Sequence, residues 1–134
     1  MKRMTMGGRE MRFAAALGML ALSACGMRDD ERAFADAAAL TGGDPRAGRS
    51  KARKLGCGSC HTIPGVFGAR SQVGPPLNGI RERMYIAGVL TNTPEHMVRW
   101  IQDPRSVDST TAMPSVGASE RDARDIAAYL YAIP

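Results

Sequence analysis

Aromatic residues are scarce: one Trp, three Tyr and three Phe among 134 residues. Val, Ile, Thr and aromatics nowhere alternate over a useful stretch, which argues against an all-β sandwich. No apolar run approaches the roughly 20 residues that span a bilayer as a helix, which excludes an integral multi-span protein. Cys and His are also few, three and two, so the place of each carries information. Charged residues at 23% and plentiful aliphatics exclude a wholly disordered chain. The formal charge of +5 is inflated by Lys2, Arg3, Arg9 and Arg12; residues 44–134 carry twelve basic against eight acidic side chains. That excess is too small to indicate a nucleic-acid partner and large enough to bias docking. At this length one domain is the natural expectation.

The basic start is followed by the apolar run Phe13–Leu22 and then by Leu22-Ser23-Ala24-Cys25. A basic region, a short apolar region and small residues before a cut describe a secretory signal. With Cys at that place, residues 1–24 resemble a bacterial lipoprotein signal, which implies acylation of Cys25. Several acyl chains suffice for stable anchoring. The expected location is therefore the cell envelope, on the inner or outer membrane and facing the periplasm. Residues 25–43 read as a tether ending at Gly42-Gly43, with Phe34 and Leu40 as its only large apolar residues from Asp29 on. The eighteen residues 26–43 reach at most about 60 Å if extended.

Residues 44–134 read as a mostly helical domain. Asp44-Pro45 is an N-cap followed by Pro at the first helical position, opening a helix that stops near Gly56. Seven Pro and Gly residues between 62 and 80 forbid long regular structure there. A short helix over 81–90 is expected, then one from Thr93-Pro94 to Asp103-Pro104 with Met97, Trp100 and Ile101 at helical spacing. A loop over 105–118 leads to Ser119-Glu120-Arg121-Asp122, close to a capping box. It opens a terminal helix with an apolar stripe of Ile126, Ala127, Leu130 and Tyr131. Large core side chains are few for a domain of this size, so something apolar and non-protein is expected inside.

Cys57-Gly58-Ser59-Cys60-His61 is the strongest chemical signal. With so few Cys and His, its chance occurrence is on the order of one in a thousand. Two thiols three residues apart on a tight turn can each add across a vinyl group of one haem, and the adjacent His falls beneath the iron. A thiol–disulfide redox motif would want a strand before it and finds helix instead. A zinc site is short of a fourth ligand, with only His96 remaining. A structural Cys57–Cys60 disulfide would close too small a loop to help much. Covalent haem is the favoured reading of the four.

With Gly74-Pro75-Pro76-Leu77 and Thr111-Ala112-Met113-Pro114 following in order, residues 44–134 resemble the class I cytochrome c family. Tyr85-Ile86-Ala87-Gly88, Asn92-Thr93-Pro94 and the Trp100-Ile101-x-Asp103-Pro104 run look, more narrowly, like cytochrome c domains fused to subunit II of haem–copper oxidases. The resemblance implies an all-α fold of three to five short helices wrapped around one haem c, bonded through Cys57 and Cys60. It implies His61 as proximal ligand, the Pro75 carbonyl as acceptor for its Nδ1–H, Leu77 packed on the haem and Met113 as sixth ligand. Arg83 lies where family members often place an Arg near a propionate. Gly48 fits the family's contact between first and last helices, whereas Ala52 stands where an aromatic residue is usual. Met84, His96 and Met97 are the competing ligands; Met97 shares the core stripe, and His96 in the first turn of its helix reads as solvent-exposed. Trp100 fills the distal side or donates its indole N–H to a propionate or toward Met113. Tyr85, Tyr129 and Tyr131 read mainly as packing residues.

With both axial positions filled by protein there is no open site for a substrate, so the expected role is electron carriage rather than catalysis. The leading expectation is a lipid-anchored carrier shuttling single electrons between membrane redox complexes. The alternative is a fixed subunit of a periplasmic dehydrogenase or terminal oxidase; a haem enzyme or gas sensor in which Met113 dissociates is a third. No nucleic acid and no small-molecule substrate are expected. The cluster Arg46, Arg49, Lys51, Arg53 and Lys54 reads either as a solvated helix face or as a docking surface for an acidic partner.

Overall fold

The computed structural model describes residues 29–134. The signal segment and Cys25 lie outside the described residues. Residues 29–32 are helical, with Arg32 and Asp29 paired at 4.0 Å. The unit Ala33–Pro134 is mostly helical with one small two-stranded sheet.

Residues 33–41 form helix α1. The sequence placed them in a tether, and their packing overturns that. Ala37 and Thr41 are buried, and Phe34 meets Tyr129 edge-on with ring centroids 6.3 Å apart. The Arg46 guanidinium lies over the Phe34 ring at 5.4 Å, a cation–π arrangement. Arg124 Nη1 donates to Thr41 O at 3.4 Å. Small residues achieve what large ones were thought necessary for. Ala37 lets the helix sit close to its neighbours, and a Cβ on Gly43 would lie 2.2 Å from the Arg124 carbonyl oxygen.

Helix α2, Pro45–Lys54, starts where Asp44 accepts from the Arg46 and Ala47 N–H groups. It crosses the terminal helix α5, Glu120–Ala132, at Gly48. At α5's start Ser119 and Asp122 form a complete capping box. Helix α3, Pro94–Gln102, is capped by Thr93 and buries Met97, Val98, Trp100 and Ile101. A short helix α4, Pro104–Val107, occupies the start of the expected loop; Asp103 ends α3 and accepts from Ser106 N–H to cap α4. The helix expected over 81–90 is absent. In its place stand a 3₁₀ turn, Ile80–Glu82, and the antiparallel pair β1, Tyr85–Ile86, and β2, Leu90–Thr91. Ala87 at φ 51° and Gly88 at φ 75° are both left-handed, the pair of conformations that closes a tight hairpin.

Ionic contacts hold the α2–α5 crossing. The Asp125 side chain is only 2% exposed and meets Lys51 Nζ at 2.7 Å, Arg121 Nε at 3.3 Å and the Asp44 N–H at 2.8 Å. Lys51 reaches Asp122 at 2.7 Å as well. Burial alone would raise the Asp125 carboxyl, but the Lys51 and Asp44 hydrogen bonds and the Lys51 and Arg121 charges outweigh it and hold it below the usual range. The Lys51 hydrogen bond and those of Ser119 bring Asp122 down to about 2. A carboxylate held low in the folded state stabilises above its unfolded pKa of about 3.9, and that contribution vanishes as pH falls through the folded value. Thermal stability should therefore be level from neutrality to about pH 5 and fall from about pH 4 toward pH 2. Melting curves across that range check this. Lys51→Met should flatten the acid limb, and an unchanged limb would show that the crossing is not its source.

Candidate functional site

A cavity of about 630 Å³ opens between the end of α2, the loops over 56–83, the hairpin, α3, the 111–116 loop and the inner face of α5. That volume lies within the roughly 300–1,000 Å³ of cofactor and ligand sites. Its lining is chiefly apolar; Ile63, Ile80, Ile86, Ile101, Ile126 and Leu130 contribute buried side chains. Apolar residues from several elements converge on this space, and these six also belong to the one hydrophobic core cluster.

Each candidate residue of the described chain lines this one cavity: Cys57, Cys60, His61, Pro75, Leu77, Arg83, Trp100 and Met113. Gly56, in the left-handed region at φ 77°, turns the chain out of α2 into the 3₁₀ turn Cys57–Ser59. That turn presents Cys57 and Cys60, both free thiols. Burial pushes the Cys57 thiol above its ordinary pKa. His61 follows with its Nδ1 2.7 Å from the Pro75 carbonyl oxygen, which can only accept, so Nδ1 carries the proton. In the neutral ring Nε2 is then the nitrogen that keeps its lone pair. A Cβ on Gly74 would stand 2.5 Å from His61 Cε1; glycine there lets the backbone lie against the ring and fix its plane. Met113 sits in the loop after α4, half-buried, its N–H donating to Thr111 Oγ1 at 3.2 Å.

Two of the three competing ligands, Met84 and His96, separate from this set. Met84 is 76% exposed, and His96 lies outside the cavity lining. His96 is half-buried rather than open to solvent, its Nδ1 2.8 Å from Thr91 O. Met97 is in the core and also lines the cavity. Among the described residues no group of three or more His, Cys, Asp or Glu side chains is placed to hold a metal ion.

Over 84 residues the chain is 36% identical to the cytochrome c oxidase subunit 2 of Alkalihalophilus pseudofirmus. It is similar to an oxidase subunit. The similarity covers 62% of this chain and 24% of that protein, so the chain spans about a quarter of its relative's length. No family model and no solved structure matches it.

The basic cluster on α2 divides in three dimensions. Lys51 turns inward to Asp122 and Asp125. Arg46 lies over Phe34, and Arg53 lies over Phe67, itself 82% exposed, at 5.5 Å. Val73, 83% exposed and not singled out by sequence reasoning, lines the cavity, and so does Tyr85, read from the sequence as a packing residue but 56% exposed. Their apolar character beside a loop rich in Pro and Gly was the available signal. Asn92 was also missed as a contributor, although it lines the cavity.

Proposed function

We propose that residues 33–134 form a c-type cytochrome domain of the class I fold, in which one haem c occupies the cavity and passes single electrons within a membrane respiratory complex. The observation that carries this is the convergence of two free thiols, an imidazole with its Nδ1 engaged and a thioether on one apolar cavity of about 630 Å³. The donor set fits a large flat apolar group with iron at its centre. Cys57 and Cys60 would bond its edge, and His61 and Met113 would complete the iron's ligands. Haem, when bound, supplies the reversible one-electron couple. The chain's own part is to fix the His61 plane through Pro75 and Gly74, to exclude water with its Ile and Leu lining, and to place Arg83 at the cavity wall. The Pro75 acceptor raises the basicity of the imidazole, while the soft, neutral Met113 thioether favours the reduced metal.

Similarity to an oxidase subunit supports a fixed electron-transfer role over a freely ranging carrier. The docking of α1 supports it too. If Cys25 bears the lipid, only the eight residue steps to Ala33 remain as a leash, at most about 29 Å, in place of the 60 Å a tether running to Gly43 would allow.

A haem-stained gel of membrane and soluble fractions tests the reading directly. Covalent haem should migrate with the membrane-bound chain, and a purified chain without it would refute the proposal. Stoichiometric co-purification with a large oxidoreductase is expected; binding that is transient and abolished by salt would return the mobile carrier. Met113→Ala should retain the haem and lower its reduction potential by on the order of 100 mV. An unchanged potential would assign the sixth ligand elsewhere.

A further inference from the structure

Asn92 stands where three parts of the cavity wall meet. Its Nδ2 donates to Ile80 O at 2.7 Å and to Arg83 O at 2.8 Å. Its Oδ1 accepts from the Tyr131 hydroxyl, and its backbone N–H donates to Met84 O at 3.0 Å. Both side-chain donor hydrogens are therefore in use. One end of this junction is α5, through the buried Tyr131. Burial, with the Glu95 charge adding to it, pushes that phenol up to about 12, so it stays protonated and donating at any physiological pH.

The other end leads to the imidazole. Arg83 Nη2 donates to Pro76 O at 2.6 Å and to Asn78 O at 2.9 Å. Those carbonyls belong to the same short loop as Pro75, whose carbonyl accepts from His61 Nδ1. Two consecutive prolines give that loop few N–H groups of its own with which to hold position. Its backbone donors Gly74 N–H and Leu77 N–H go to Cys60 O at 2.7 Å and Thr62 O at 2.9 Å. The carbonyls after Pro75 are fixed from outside, by a guanidinium whose own backbone is fixed by Asn92.

We propose that Asn92, steadied by Tyr131, is a positioning residue for His61: it sets Arg83, and through Arg83 the loop 75–78, so that the Pro75 carbonyl meets the imidazole squarely. Its consequence for redox potential rests on the haem reading; its consequence for the loop does not.

Two neutral variants of the purified holoprotein separate the effects. Asn92→Ala removes the whole junction, and Tyr131→Phe removes one hydroxyl while leaving the amide in place. Each lost hydrogen bond is worth about a few-fold in local opening. Amide hydrogen exchange over 75–83 should therefore quicken roughly tenfold in Asn92→Ala and about threefold in Tyr131→Phe. The reduction potential should rise in the same order, because a loosely held acceptor leaves the imidazole less basic and a poorer support for oxidised iron. Unchanged exchange overturns the proposal, and so does quicker exchange with a potential that stays or falls. A chain carrying no covalent haem would defeat the functional reading on its absorption spectrum alone, and exchange over 75–83 would still decide whether Asn92 holds the loop.

Discussion

Replacing His61 with alanine is expected to abolish holoprotein: at least about tenfold less covalently loaded chain in a haem-stained gel, at equal expression. The geometry of the imidazole is fixed on two sides. Pro75 O holds Nδ1 at 2.7 Å, and the Gly74 backbone lies so close that a Cβ would fall 2.5 Å from Cε1. No other His can take its place, because His96 lies outside the cavity lining with its Nδ1 engaged by Thr91 O. Met113→Ala makes the contrast: it takes away the proposed sixth ligand from a loop far along the sequence and leaves the Cys57–His61 turn intact, so staining should persist. Staining of the His61→Ala chain at the wild-type level would show that the attachment turn works without its imidazole, and the ligand scheme would have to be rebuilt.

How far the sequence foretells this arrangement depends on whether the signal is local. Caps are local, and Asp44, Thr93 and Ser119 all begin helices where their side chains can accept from backbone N–H groups. The Cys57–His61 turn is local as well, set by Gly56 and a five-residue run. Residues 81–90 were misread because Arg81, Glu82, Arg83 and Met84 are good helix formers. What decides there is Ala87-Gly88 in left-handed conformations and Asn92 drawing Ile80 and Arg83 together from outside the segment. Helix α1 was misread for a different reason. Its buried side chains are Ala and Thr, which carry little apolar signal, and its partners Arg46, Arg124 and Tyr129 lie up to the far end of the chain. The role of Asn92 was invisible for the same cause, since its partner Tyr131 is 39 positions away.

The second large effect is at Gly48, where alanine should destabilise the protein by about 3 kcal/mol or more. Helix propensity alone gives the opposite sign, because Ala in a helix interior is favoured over Gly by about 0.5–1 kcal/mol. The crossing reverses that sign. A Cβ on Gly48 would stand 1.8 Å from the Asp125 carbonyl oxygen, 2.5 Å from its carbon and 3.0 Å from the Ile126 nitrogen. All three are backbone atoms, so no side-chain rotation relieves the overlap and the helices must part. Parting them withdraws Lys51 from Asp125 and Asp122, exposes the buried Ala52, and shifts the end of α2 that leads into Cys57. Domains of this size keep only about 5–15 kcal/mol in reserve, so a substantial lowering of the urea midpoint of the holoprotein should follow. Ser50→Ala, on the exposed side of the same helix, should stay within about 0.5 kcal/mol of wild type. If Gly48→Ala unfolds at or above the wild-type midpoint, propensity has won, and the two helices cannot be crossing as closely as the packing of α2 on α5 requires.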